Sequence, residues 1–308
     1  GEFIKEYLEE MGAEVLLTHT DSMNNLSLYE RDQMANSFDA DFFQSIHHNA
    51  IGQSNSKTNY TLVLYSKYNS GHFKDDNILM CEIQSPMIYQ SLYTTSHLVY
   101  SDYDLVGFNY GVLKSIIMPG VLSEASFWDC VPEIMRLNSI RYLQVQAKTI
   151  RNAFCKFYEF PVPNSTTLYG QVTDTEGNPV ENAKVYVSDG VDTLLYETDK
   201  ENIGITAEDN SWWVGYVGNL YEVKNGFYFF EDLPSGKEYS IWTVREGYVG
   251  SSDTVALDDT VMTKKDMPMI SLVPPTAELT YPDPEDLENL PVKKRFAVLF
   301  DKAMDTEI

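Results

Sequence analysis

Chemistry-bearing residues stand at the ends of two apolar runs in this chain of 308 residues. The first run, Asp41-Phe42-Phe43-Gln44-Ser45-Ile46, reads as a buried strand and closes on His47-His48-Asn49-Ala50. The second, residues 116–123 with Pro119 near its start, reads as another strand and delivers Glu124 at its carboxyl end. In an open α/β sheet, ligand-binding and catalytic groups gather just outside the carboxyl ends of the strands. His47 or His48 is therefore placed where a metal ligand or a proton-transfer residue would sit. Neighbours on a strand point to opposite faces, so the two histidines cannot easily share one site. A histidine that binds zinc, with a carboxylate that handles a proton, is a route to amide hydrolysis.

These residues need a scaffold, and the flanking pattern predicts one. Phe3, Ile4, Tyr7, Leu8 and Met11 recur at helical spacing, with Glu6, Glu9 and Glu10 on the other side and Gly12 as a stop. Glu14-Val15-Leu16-Leu17-Thr18 follows as a strand. Ser27-Leu28-Tyr29-Glu30 has capping-box form, so a helix starts there and runs to about Phe38. Residues 59–66 alternate as a strand, and residues 77–98 are helical in composition, with Pro86 expected to break or restart them. Residues 110–114 read as a further strand. Residues 139–158 read as a closing helix, with an apolar stripe through Ile140, Leu143, Ala147, Ile150, Ala153 and Phe154. Helices alternating with strands predict an α/β unit, a mostly parallel sheet flanked by helices.

Pro161-Val162-Pro163-Asn164-Ser165-Thr166 is a linker by composition, taken as 161–167. Beyond it, Gly177-Asn178-Pro179, Asp189-Gly190, Asn225-Gly226 and Pro234-Ser235-Gly236 punctuate Val-, Tyr-, Phe- and Thr-rich runs. That pattern predicts an all-β sandwich over 168–273 with a core separate from that of residues 1–160. Residues 274–308 open another β unit. The chain is thus read as multidomain.

Composition narrows the partners. The chain has 46 Asp and Glu against 22 Lys and Arg, a net charge of −24. That balance argues against nucleic acid as a partner and suits a protein acting outside the cytoplasm. Cys81, Cys130 and Cys155 are too far apart for a metal clip and read as thiols. No apolar run is long enough for a transmembrane segment. The chain begins mid-helix without Met and stops just after a strand-like run, so it is expected to be a fragment.

The wording around the candidate residues is specific. Glu14-Val15-Leu16-Leu17-Thr18, Leu26-Ser27-Leu28 with Glu30-Arg31, Ala35-Asn36, Ala40-Asp41 and Ser45-Ile46-His47-His48-Asn49-Ala50 resemble, in order, the zinc-dependent N-acetylmuramoyl-L-alanine amidases. Pro119-Gly120-Val121-Leu122-Ser123-Glu124-Ala125-Ser126-Phe127 is similar to their P-x-V-L-x-E-x-x-F segment. The resemblance covers residues 1–160. It implies that His47 is a Zn2+ ligand, that Glu124 is the catalytic carboxylate, and that peptidoglycan is the substrate. His48 is then structural, and His19, where the family has Arg, a surface residue. The family's remaining ligands would precede Gly1, so the fragment alone is expected to be inactive. Leu168-Tyr169-Gly170-Gln171-Val172-Thr173-Asp174, with the turns after it, is similar to carboxypeptidase regulatory-like sandwiches, and residues 276–308 look like the start of a bacterial Ig-like domain. Trp212-Trp213 is read as loop or core packing rather than a sugar platform.

Two readings follow. One is a secreted or periplasmic wall amidase cleaving the bond between N-acetylmuramic acid and L-alanine. The other is a non-catalytic wall-binding protein with a degenerate amidase-like domain. A zinc carboxypeptidase needs H-x-x-E, and none of His19, His47, His48, His72 or His97 has Glu three residues later.

Overall fold

The computed structural model describes residues 1–19, 26–68, 73–163, 166–203, 223–258, 262–272, 277–281 and 297–300. His72, Trp212 and Trp213 lie outside them. The first half is built on a four-stranded sheet of β1 (Phe43–Asn49), β2 (Thr61–Tyr65), β3 (His97–Ser101) and β4 (Gly120–Phe127). Its order is β1-β4-β2-β3. The pairs β1/β4 and β2/β3 are parallel and β4/β2 is antiparallel, so the sheet is mixed with parallel pairs predominating.

Strand alternation divides the core between the two faces. Val63, Val121 and Ala125 face a cluster shared with α1 (Glu2–Glu9), α3 (Lys74–Ser91) and α7 (Ile140–Phe157). Phe43, Leu62, Leu64 and Leu122 face Ala35 of α2 (Leu28–Phe38) and Val112 and Leu113 of α5 (Gly111–Lys114), with the short α4 (Asp102–Val106) after β3 and α6 (Val131–Leu137) after β4. The α2 start is as expected: Ser27 Oγ accepts from the Glu30 backbone at 3.2 Å, and the Glu30 carboxylate accepts from Ser27 N–H at 2.8 Å.

Four local expectations change. Residues 14–18 form no strand, because among the described residues no neighbour pairs with them. Pro86 sits inside α3 without ending it. The carbonyl it leaves without a donor belongs to exposed Glu82, which water can satisfy, while buried Ile83, Gln84, Ser85 and Ile88 hold the helix down. The same helix stops at Ser91, and His97 and Leu98 belong to β3. Residues 111–114 are helical rather than extended, with Tyr110 as their extended N-cap, since adjacent Val112 and Leu113 are both buried and Ile116 follows on the same cluster. The Gly111 site allows this close packing: a Cβ there would lie 2.9 Å from Leu28 Cδ1.

The second half is a β-sandwich. One sheet joins β5 (Thr166–Thr173), β8 (Phe227–Leu233), β12 (Thr263–Lys264) and β13 (Met267–Pro268). The other has the order β11-β9-β6-β7, from Ser252–Ala256, Glu238–Val244, Lys184–Ser188 and Thr193–Glu197. Short β10 (Tyr248–Val249) pairs with β14 (Ile270–Ser271), and β15 (Ala277–Tyr281) with β16 (Ala297–Phe300). Leu168, Val172, Val185, Ile241 and Val255 make a core of its own.

That core does not stand apart. Tyr169, Phe227 and Phe229 of the sandwich belong to the cluster that contains Ile4, Met80 and Ile150. Helix α7 therefore lacks the single stripe its sequence suggested. Gln146, Lys148, Thr149, Arg151 and Asn152 are buried as well as Ile150 and Ala153: Gln146 meets His48 of β1, Arg151 lies over Tyr7 of α1, and β8 packs beside Lys148. Lys148 pairs with Glu231 of β8, which lets the ammonium be buried there.

Candidate active site

His47 and Glu124 are direct partners in the β1/β4 register. Paired residues on neighbouring strands lie about 4.8 Å apart and point to the same face, here the face of α2 and α5. Both strand exits are tied down by one residue. Asp129, just after β4, accepts from Ile51 and Gly52 N–H at 2.8 and 2.9 Å and from Asn55 Nδ2 at 3.2 Å. The loop leaving the histidine strand is thereby bound to the loop leaving the glutamate strand.

Glu124 sits between β1 and β2, opposite Leu62. Its Oε2 is buried and has no hydrogen-bond partner. Burial alone raises its pKa to about 7, so the carboxyl can both take and give a proton near neutrality. Tyr110, at the N-cap of α5, is close enough for Glu124 to act on it: burial first, then the Glu124 carboxylate, raise its phenol. The Tyr110 backbone N–H donates to buried Asp102 at 2.9 Å, which fixes this side of the cleft.

His47 is exposed at the rim. Partial burial of its ring and then the Arg31 guanidinium lower its pKa, favouring the neutral imidazole that a metal ligand must be. Arg31 lies in the first turns of α2, and its Nε donates to Leu26 O at 3.1 Å. Sequence reasoning used Arg31 only as motif wording and read Tyr110 as the start of a strand. The S-L-x-x-R spacing was the signal for Arg31; Tyr110 had none.

His48 faces the other way. Its Nδ1 lies 2.9 Å from Ser126 Oγ, it is hydrogen-bonded to Gln146 of α7, and burial pushes its pKa down to about 4. A register shift between His47 and Asn49 brings Ser126 level with it. It is a neutral, satisfied group of the interior. His19 is exposed.

The sheet and its two-residue site define an α/β domain with a buried carboxyl beside an exposed imidazole. Residues 1–156 match the family model of N-acetylmuramoyl-L-alanine amidase, and the chain belongs to that family, whose substrate is the peptidoglycan of the cell wall. Among solved structures it is similar to the catalytic domain of CwlV, an amidase from Bacillus (Paenibacillus) polymyxa var. colistinus, at 23% identity over 52% of this chain and 81% of that one, TM-score 0.42. It is also similar to the amidase AmiC2 of Nostoc punctiforme, at 22% identity over 51% and 79%, TM-score 0.44. A third is the amidase from Clostridium difficile 630, at 20% identity over 51% and 79%, TM-score 0.44. No curated protein matches the sequence.

Members of this family are generally zinc-dependent. Catalytic zinc takes three protein ligands and keeps a position for water. Among the described residues no group of three or more His, Cys, Asp or Glu side chains could hold a metal ion. His47 and Glu124 alone do not make that set, and the three cysteines are free and buried elsewhere. The described residues therefore do not fit a complete zinc site, although His47 has the exposure and neutrality of one ligand.

Proposed function

We propose that this protein hydrolyses the amide bond between the lactyl group of N-acetylmuramic acid and L-alanine in peptidoglycan. The observation that carries this reading is the unpartnered, buried Glu124 oxygen beside His47, in a chain of the amidase family. Glu124 takes the proton of the attacking water and hands it to the departing amino group of L-alanine. A carboxyl with a pKa of about 7 can do both at neutral pH. His47 is proposed as the zinc ligand that this stretch supplies. The reaction would take place outside the cytoplasm, where the substrate lies. No described helix is long and apolar enough to cross a membrane.

The test is release of soluble stem peptides from purified sacculi by the full-length protein, with zinc content measured in parallel. Zinc-dependent release supports the reading. That no three-donor group occurs among the described residues favours one rival, a wall-binding protein without activity. Binding to sacculi without release, in zinc-supplemented buffer, would establish that rival instead.

A further inference from the structure

The β11-β9-β6-β7 sheet of the sandwich buries one face and exposes the other. Val185, Val187, Tyr239, Ile241 and Val255 point into the sandwich core. The alternating positions Tyr186, Ser240, Trp242, Ser252 and Thr254 point outward. The amidase domain packs against the other sheet, through β8, so this outer face looks away from it.

On that face Tyr186 and Trp242 are register partners, and their rings are stacked, with centroids 5.2 Å apart and planes 7° from parallel. Tyr186 covers one face of the indole. On the other side of Trp242 stands its β11 partner Ser252, with Thr254 paired to Ser240 beside it. Trp242, Ser240, Ser252 and Thr254, together with Ile241 and Asp253, line a shallow cleft open to solvent. The three hydroxyl-bearing residues are exposed.

Charge decides which ligand suits this cleft. The only ionisable lining group is Asp253, and its carboxylate is engaged by Lys265. The chain as a whole carries −24, which disfavours an acidic polymer, while the cleft offers a cation no free carboxylate. A flat aromatic face held rigid by a second ring, edged by hydroxyls that both donate and accept, suits an uncharged polyhydroxylated ring. A cross-strand aromatic pair serving sheet stability alone would need no cleft on the far side of the indole.

We propose that this cleft binds the glycan strand of peptidoglycan. An N-acetylated sugar ring lies against the free face of Trp242, and its polar groups exchange hydrogen bonds with Ser240, Ser252 and Thr254. The choice of polymer rests on the proposed function; the cleft chemistry requires only a neutral glycan. Because the sandwich shares a core cluster with the amidase domain, such binding would hold the whole enzyme on its polymer.

The 308-residue chain is titrated calorimetrically with N-acetylglucosamine oligomers and sedimented with purified sacculi. Wild type binds both. Trp242→Ala lowers affinity for the oligomers at least about tenfold, and the Ser240→Ala/Thr254→Val double variant, which keeps the ring stack, lowers it about threefold or more. If Trp242→Ala shifts the unfolding transition, the double variant decides. Wild-type affinity in the double variant, or no oligomer binding by wild type, overturns the site. Trp242-dependent oligomer binding by a protein whose full-length form fails to hydrolyse sacculi sinks the amidase reading and leaves the site standing. Sacculus binding lost only with His47 or Glu124 variants does the reverse.

Discussion

His47 and His48 are adjacent in sequence and opposite in circumstance, and the two faces of the four-stranded sheet differ as they do. On the α2/α5 face, His47 is exposed at the rim and Glu124 keeps an unpartnered buried oxygen. On the α3/α7 face the buried charged groups and His48 have partners. His48 meets Ser126 and Gln146. Glu133, fully buried, accepts from the Tyr142 hydroxyl at 2.9 Å, from Asn59 Nδ2 at 3.2 Å and from Arg136 Nε at 2.9 Å. Arg136 in turn reaches Gln171 of the sandwich at 3.3 Å and lies 4.7 Å from the centroid of the Tyr93 ring. The lesson is where each face spends its stability. Glu124 keeps a buried oxygen that a bound ligand could satisfy, and the interface with the sandwich holds its buried charges in mutual contact.

Removing the unsatisfied group is expected to have the largest effect. In the full-length protein, Glu124→Gln should lower peptide release from sacculi by roughly 10²–10⁴-fold, the usual worth of a general acid–base group, with zinc retained. His47→Ala should lose zinc and activity together. Normal release by Glu124→Gln would place the proton carrier elsewhere.

The opposite face should break differently. Arg136→Ala leaves the Glu133 charge buried without its partner and should cost about 3–5 kcal/mol in denaturant unfolding. The double variant Glu133→Gln/Arg136→Met should recover much of that loss. Equal loss in both would mean that packing rather than charge pairing holds this interface.

A smaller effect sharpens the contrast through pH. The Glu124 pKa is raised from 4.5 to about 7 in the folded protein. Between those values the unfolded chain ionises and the folded one does not. Stability from this group therefore falls as pH rises from 4.5 to 7 and stays low above. At pH 8 Glu124→Gln should be the more stable protein, by on the order of 1–3 kcal/mol, and at pH 4 the two should converge. A variant less stable than wild type at pH 8 would contradict the burial of an unpaired carboxylate. The smallest expected change is Ser27→Ala, which removes half of the capping box at the start of α2 and should cost about 1 kcal/mol, read as a lowered Tm.

Much of the site was legible because it is local. The strand ending in His47 and the capping box of α2 depend on side-chain alternation and on contacts within three residues, and a sequence shows both. Motif order supplied the pairing of His47 with Glu124, and alternation alone sent His48 to the opposite face. Tertiary structure decided the rest. Residues 111–114 became a helix because Val112 and Leu113 had a cluster to fill beside Leu28, a neighbour far away in sequence. Residues 14–18, with a strand's composition, formed none, since a strand exists only with a partner to bond. Helix α7 buries Lys148 against Glu231 of β8 and Arg151 over the Tyr7 ring of α1, contacts that its own sequence does not show. The pKa of Glu124 likewise follows from burial alone, a property of everything packed around it. Sequence determined which groups stand at the strand ends; long-range packing decided which of them were left without partners.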